Sequence, residues 1–95
     1  MGDLRFDWDP AKAGSNLRKH GVAFEDAVTV FTDPVARTMD DPDHSQWEAR
    51  FLLLGRSWAD HILVVSYTYR RGADVIRIIS ARRADRRERA QYGAR

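Results

Sequence analysis

The chain has 95 residues, of which 43% are apolar and 32% are charged, a composition that predicts one soluble domain over residues 1–95 rather than a disordered chain. The absence of cysteine excludes disulfides and thiolate metal sites. The longest apolar runs, Phe51–Leu54 and Ile62–Val65, are far shorter than the ~20 residues of a membrane span, and the first residues lack a secretory signal pattern. We therefore expect a cytoplasmic protein with no membrane partner.

The charge is strongly polarised along the chain. From Arg70 to Arg95, nine Arg stand against three acidic residues, whereas residues 1–69 hold seven basic and eleven acidic side chains. The net charge of +2 therefore combines a C-terminal segment of +6 with a remainder of −4. Arginine presents a planar, permanently charged fork that matches pairs of phosphate oxygens. This segment predicts binding to an RNA backbone, another polyanion or an acidic protein.

The N-terminal third predicts a short strand and two helices. Arg5–Trp8 is typical of an edge strand. Asp9 and Pro10 then supply an N-cap acceptor and a first helical residue, and Gly21 is placed to end that helix. The second helix is indicated by one apolar stripe at helical spacing, made of Phe24, Ala27, Val28 and Phe31. Its N-cap would be Ala23, a poor one, and Asp33-Pro34 would end it.

The remainder predicts a run of strands and a final helix. Segments rich in large apolar and β-branched residues predict the strands Val35–Met39, Glu48–Gly55, Ile62–Tyr69 and Val75–Ala81. Asp85 and Glu88 match a helix-capping pair, so the last helix should begin near Arg86. The order predicts an α+β fold in which two N-terminal helices and a C-terminal helix pack on one face of an antiparallel sheet.

Several segments together resemble one known family. They are Asp7-Trp8-Asp9-Pro10-Ala11-Lys12, Asn16-Leu17-Arg18-Lys19-His20-Gly21-Val22, Phe24-Glu25-Asp26-Ala27, Asp41-Pro42-Asp43-His44-Ser45, Glu48-x-Arg50-Phe51, Gly55-Arg56-Ser57, and Arg77-Ile78-Ile79-Ser80-Ala81-Arg82-Arg83-Ala84 with Glu88-Arg89 and Tyr92. In this order and spacing they resemble the BrnT toxins over nearly the whole chain. Ala23 departs from the pattern, since the family usually has Ser or Thr there.

The resemblance implies a function and a partner. BrnT proteins are RelE-like ribonucleases of type II toxin–antitoxin systems. Each is neutralised by a BrnA antitoxin, whose dimeric ribbon-helix-helix part binds DNA. We therefore expect an endoribonuclease toxin with RNA as substrate and a BrnA-like antitoxin as partner, in a dimeric (2:2) complex that binds DNA through the antitoxin.

Three arginines are candidates for holding the scissile phosphate. Metal-independent RNA cleavage needs a base for the 2′-hydroxyl, an acid for the leaving oxygen and positive charge for the phosphorane. Successive side chains of a strand point to opposite faces of the sheet. Arg77 and Ile79 are therefore expected on one face of the strand. Ser80 is expected on the opposite face, together with the apolar Ile76 and Ile78. Arg77 is then either an ordinary exposed residue or a phosphate ligand, and with the resemblance we predict a ligand. We predict the same for Arg82 and for its neighbour Arg83, whose alternative is a solvated basic turn.

His44 and Glu48 are the candidates for proton transfer. His44 lies in a motif loop before Glu48 and Arg50, although it could instead be a surface or loop-anchoring residue. Glu48 could simply pair with Arg50 on the same strand face. Asp41, Asp43 and His44 alone match no known metal-ligand spacing, and we expect a turn there rather than a metal site. We expect no metal or other cofactor.

Further RNA contacts are assigned to residues beside these: Arg50, Arg83, Arg86 and Trp47. Trp47 could stack on a base, though aromatic residues at such positions more often pack. His61 is expected to be exposed at the start of a strand. The predicted reaction is attack by the 2′-hydroxyl, giving a 2′,3′-cyclic phosphate and a 5′-hydroxyl. The alternatives are a non-catalytic basic module that binds RNA or protein, and a purely structural subunit of a complex.

Overall fold

A computed structural model describes residues 4–41, 49–70, 72 and 74–93. Within these residues the elements are β1 (Arg5–Asp7), α1 (Pro10–His20), α2 (Phe24–Thr29) with a 3-10 turn (Val30–Thr32), β2 (Arg37–Asp40), β3 (Phe51–Arg56), β4 (Ile62–Arg70), β5 (Val75–Arg83) and α3 (Arg86–Gly93). The predicted α+β order is confirmed. The expected strand start at Glu48 lies outside the described residues. No helix in the described part of the chain is long and apolar enough to cross a membrane.

The described strands form one sheet in the order β1-β5-β4-β3-β2. From β2 to β5, neighbouring strands are antiparallel. At the edge, β1 runs parallel to β5 and pairs only along Val75–Arg77, so the sheet is mixed. The rest of β5 therefore has no strand beside it on that edge among the described residues.

The two faces of the sheet carry different helices. On one face, which we call the α1/α2 face, Leu63, Val65 and Tyr67 pack in the main core with Phe24. On the opposite face, which we call the α3 face, Leu54, Val64 and Ala84 pack with Met39, Leu52, Ile62 and Tyr92. The expectation that all helices share one face is therefore wrong. The reason lies in α3, which has no buried residue and attaches through the half-buried ring of Tyr92.

The ends of α1 form as predicted. A carboxylate oxygen of Asp9 accepts a hydrogen bond from the Ala11 N–H at 2.9 Å. Gly21 ends the helix in the left-handed region, at φ 69°, and its N–H donates to the Leu17 carbonyl at 2.9 Å. Ala23 makes no side-chain cap bond to α2, as its lack of a polar group predicts.

A buried amide fixes α1 beside the edge of β5. The Asn16 side chain donates to the Ala81 carbonyl at 2.8 Å and accepts from the Ala81 N–H at 3.0 Å, as a neighbouring strand would. It also donates to the Val22 carbonyl at 3.0 Å. The amide therefore replaces the missing strand partner, because buried backbone groups need a hydrogen-bond partner.

Removing this amide should destabilise the fold. Asn16→Ala leaves three interior backbone groups without partners, and each costs about 1–3 kcal/mol. We expect the free energy of unfolding, measured by chemical denaturation, to fall by roughly 3 kcal/mol or more. The control is Ser15→Ala, at the preceding residue of the same helix. Equal, small losses in both variants would contradict the edge-pairing role of Asn16.

Candidate active site

A basic cavity of about 380 Å³ opens beside Arg77, where β4 ends and β5 begins. The described residues that line it are Lys12, Arg50, Thr68, Tyr69, Arg70, Arg77 and Ile79. Four of these lining residues are basic and none is acidic. Such a concentration of positive charge in a concave surface favours the binding of a polyanion.

Strand pairing places the residues of this basic cavity. Thr68 of β4 lies directly opposite Arg77 of β5. The Thr68 hydroxyl donates to the Ala49 carbonyl at 2.6 Å, which holds the segment carrying Arg50 beside β4. Lys12 comes from the first turns of α1. The cavity therefore combines side chains from a rigid sheet with one from the helix that Asn16 anchors.

Arg77 has one acidic neighbour in the described structure. Its Nη1 lies 3.3 Å from a carboxylate oxygen of Asp7, which is its register partner in β1. The two side chains are 30% and 43% exposed, so solvent screens this pair. A guanidinium has five N–H donors, and this long contact occupies one of them. Within the described part of the chain, its other N–H groups have no side-chain or backbone partner.

A bulge in β5 brings Arg77 and Arg82 to the same face of the sheet. Tyr67 pairs with Ile78 and Ser66 pairs with Ser80, so Ile79 is an extra residue in β5. Without it, residues five apart would point to opposite faces. Ser80 therefore leaves the face of Ile76 and Ile78, contrary to expectation, and Ala81 takes the core position instead.

The fork of Arg82 is already occupied. Its Nη1 and Nη2 donate to the two carboxylate oxygens of Glu88 at 2.7 and 2.8 Å. Hydrogen bonds from Arg82 hold the pKa of the Glu88 carboxyl below its usual value, against the effect of burial, and Glu88 raises the pKa of Arg82. Glu88 also accepts from the Asp85 N–H while Asp85 accepts from the Glu88 N–H, which confirms the predicted capping pair. Arg82 thus links β5 to α3.

The structure does not bring Arg83 or Arg86 to the basic cavity. Arg83 points to the α1/α2 face, where its Nη2 lies 3.3 Å from Nε2 of His61. Nδ1 of His61 lies 3.2 Å from Asp26, so this imidazole is held between two charged groups rather than simply exposed. Arg86 is exposed on α3. Their predicted RNA contacts stay predictions.

His44, Trp47 and Glu48 lie outside the described residues, so their predicted roles stay predictions as well. Sequence reasoning gave no site role to five lining residues of the cavity: Lys12, Thr68, Tyr69, Arg70 and Ile79. For Lys12, its place in the family motif was the sequence feature that could have indicated a role in the site. Arg70 was noted only as the first residue of the basic C-terminal segment, and Thr68 gave no signal, because its place opposite Arg77 depends on the register of β4 with β5.

Comparison with known proteins identifies the family of this chain. The sequence model of a family of ribonuclease toxins matches residues 8–88, and the family is described as "Ribonuclease toxin, BrnT, of type II toxin-antitoxin system". The chain therefore belongs to the BrnT family.

A solved structure has the same fold. The crystal structure of the Brucella abortus ribonuclease toxin BrnT, at 1.1 Å resolution, matches with a TM-score of 0.66 at 22% sequence identity. The match covers 88% of this chain and 100% of that one. It confirms the predicted α+β fold. The comparison with curated proteins gave no match.

The lowered pKa of Glu88 predicts an acid-sensitive link to α3. A carboxyl whose pKa is lower in the folded state stabilises the fold at higher pH, and this contribution is lost as the pH falls through its folded pKa. We expect the melting temperature to drop below about pH 4. Glu88→Gln, which keeps the capping geometry, should flatten part of that drop.

The matched control is Glu25→Gln, at an exposed position in the first turn of α2. Melting temperatures of the two variants and the wild type are compared between pH 3 and pH 7, around the usual carboxyl pKa of about 4. If the two variants show the same acid dependence, the ion pair with Arg82 does not carry it.

Proposed function

We propose that this protein is a metal-independent endoribonuclease toxin whose basic cavity binds the scissile phosphate. The observation that carries the proposal is the convergence of Arg77, Arg50, Arg70 and Lys12 on one cavity, with no acidic lining residue in the described structure. Membership of a family of ribonuclease toxins supports RNA as the substrate. The runner-up is a basic module that binds RNA without cleaving it.

The proposed reaction is an in-line displacement at phosphorus. The ribose 2′-oxygen loses its proton and attacks the adjacent phosphorus, and the bond to the 5′-oxygen of the next nucleotide breaks. The products are a 2′,3′-cyclic phosphate and a 5′-hydroxyl that has gained a proton. Charge builds on the nonbridging oxygens in the transition state. Arg77 is proposed to donate to these oxygens from its rigid strand, with Lys12 and Arg50 adding positive charge.

The role of Arg82 follows from its position at the α3 end of the same face. Because Glu88 occupies both terminal nitrogens, Arg82 would contact RNA through its remaining N–H groups or by exchanging Glu88 for phosphate. We propose that it is a second phosphate ligand rather than the principal one. Arg83 and Arg86 are proposed to bind more distant parts of the RNA.

Proton transfer is proposed for His44 or Glu48. An imidazole titrates near neutral pH, which suits either role, and a carboxylate can serve as base. Glu48 directly precedes Ala49, whose carbonyl accepts from Thr68 in the basic cavity. Trp47 is proposed to stack on a base. No metal enters this reaction, since the arginine and lysine side chains supply the positive charge.

The family implies an antitoxin, because type II systems pair each toxin with one. We propose a BrnA-like ribbon-helix-helix partner in a 2:2 complex that binds DNA through the antitoxin. Acidic groups of this partner would cover the Arg70–Arg95 surface in the cytoplasm. Charge complementarity of this kind would make its association rate fall with added salt.

Substitution of Arg77 tests the proposal. Loss of one preorganised donor to a transition state costs about 2.7–4 kcal/mol, so Arg77→Ala should lower kcat/KM for RNA cleavage at least tenfold. The melting temperature should change little, because the contact with Asp7 is long and exposed. Arg87→Ala, at an exposed position of α3, is the charge-matched control and should keep full activity.

Cleavage is measured with purified protein and labelled RNA, with and without EDTA. The proposal expects equal rates in both conditions and cyclic-phosphate product ends. Activity that requires an added divalent metal would overturn the metal-independent reaction. Full activity of Arg77→Ala would remove Arg77 from the site, and RNA binding with no turnover by the wild type would favour the runner-up.

A further inference from the structure

A second cavity, of about 160 Å³, adjoins the basic cavity along α1. Its lining residues are Lys12, Ser15, Asn16, Lys19, His20, Ile79 and Ser80. Lys12 and Ile79 line both cavities, so the two adjoin at the bulge of β5. Among the described residues, no acidic side chain lines either of them.

The sequence of α1 directs a polar stripe at this second cavity. Lys12, Ser15, Asn16 and Lys19 are spaced at i, i+3, i+4 and i+7, which puts them on one side of a helix. The interior member, Asn16, is bound to Ala81 and holds this side at a fixed distance from β5. Lys12 and Lys19 are the only lysines in the chain and are exposed at the two ends of the stripe.

We propose that this second cavity is a subsite for the RNA strand that continues from the scissile phosphate, with Lys19 as a ligand of a neighbouring phosphate. The inference rests on the proposed function, because it takes the basic cavity as the place of cleavage. Lys12 would contact the RNA where the two cavities meet. Ser15 and Ser80 would supply hydroxyl donors between the two lysines.

The dimensions and chemistry fit an extended strand. Seven residues of α-helix separate the two lysines by about 10 Å along the axis, which is more than one phosphate group spans. Lysine is a compact point charge that binds phosphate from many directions, as sequence-independent backbone contacts require. The stripe contains no Trp, Tyr or Arg, the residues that are enriched at the energetic centres of protein–protein interfaces. The exposed Leu17 of α1 lies outside the lining.

The test measures binding of an eight-nucleotide RNA made uncleavable by 2′-O-methyl groups, so that turnover plays no part. Lys19→Ala is compared with Arg18→Ala, the neighbouring exposed cation that lines neither cavity. Dissociation constants are obtained by fluorescence anisotropy at several salt concentrations. Loss of one phosphate contact should lower the slope of log affinity against log salt by about 0.7. Arg18→Ala should keep the wild-type slope, and both variants should keep its melting temperature.

A second measurement uses the fact that Lys12 and Lys19 are the two lysines of the chain, so that the acylation of each can be followed separately. Acylation followed by mass spectrometry should show that the eight-nucleotide RNA protects both Lys12 and Lys19. A saturating dinucleotide should protect Lys12 alone.

Three results would overturn the subsite. They are equal salt slopes in the two variants, no protection of Lys19 by the long RNA, and a Lys19→Ala defect confined to antitoxin binding. Lysine-dependent RNA binding by a wild-type protein that does not cleave RNA would instead reject the proposed function and leave the subsite standing. The two failures are therefore distinguishable.

Discussion

The hydrogen bonds between the Asn16 amide and the backbone of Ala81 fix the relation of α1 to the sheet. Because β1 pairs only with the first residues of β5, the edge beyond Arg77 needs another partner. A helix-borne amide provides it and brings Lys12 within the lining of the Arg77 cavity. The same contact sets the width of the gap between α1 and β5. The arrangement of cationic groups thus depends on one buried polar contact rather than on the charges themselves, which repel one another.

The bulge at Ile79 has the complementary effect within the sheet. It turns Arg77 and Arg82 to one face, but their surroundings differ. Arg77 has a single long contact with a screened carboxylate, whereas both terminal nitrogens of Arg82 are held by Glu88. Arg82 therefore stabilises the attachment of α3, whereas Arg77 has only one N–H group engaged within the described structure. A charged residue can serve structure or binding, and the partner at hand decides between them.

Local patterns predicted the elements well because their signals are local. Asp9, Pro10 and Gly21 define α1, and Asp85 with Glu88 starts α3. The position of α3 on the opposite face was not predictable in this way, since it depends on the Tyr92 ring and on Arg82. The bulge and the register of Thr68 with Arg77 were also not predictable, because the pairing of two strands cannot be read from the sequence of either strand alone. Arg77 and Arg50 were both singled out from sequence and line one cavity, while Arg83 lies on the other face, and the RNA-binding roles of all three stay predictions.

The central claim is that the basic cavity holds the phosphate at which RNA is cut. The most direct measurement is a crystal structure of the protein with an RNA whose 2′-hydroxyl is replaced by hydrogen at the cleavage site. The account predicts the phosphate at that position within hydrogen-bonding distance of the Arg77 guanidinium, in the cavity lined by Lys12 and Arg50. A phosphate bound instead beside Arg83 and His61 on the α1/α2 face, with the Arg77 cavity empty, would contradict it.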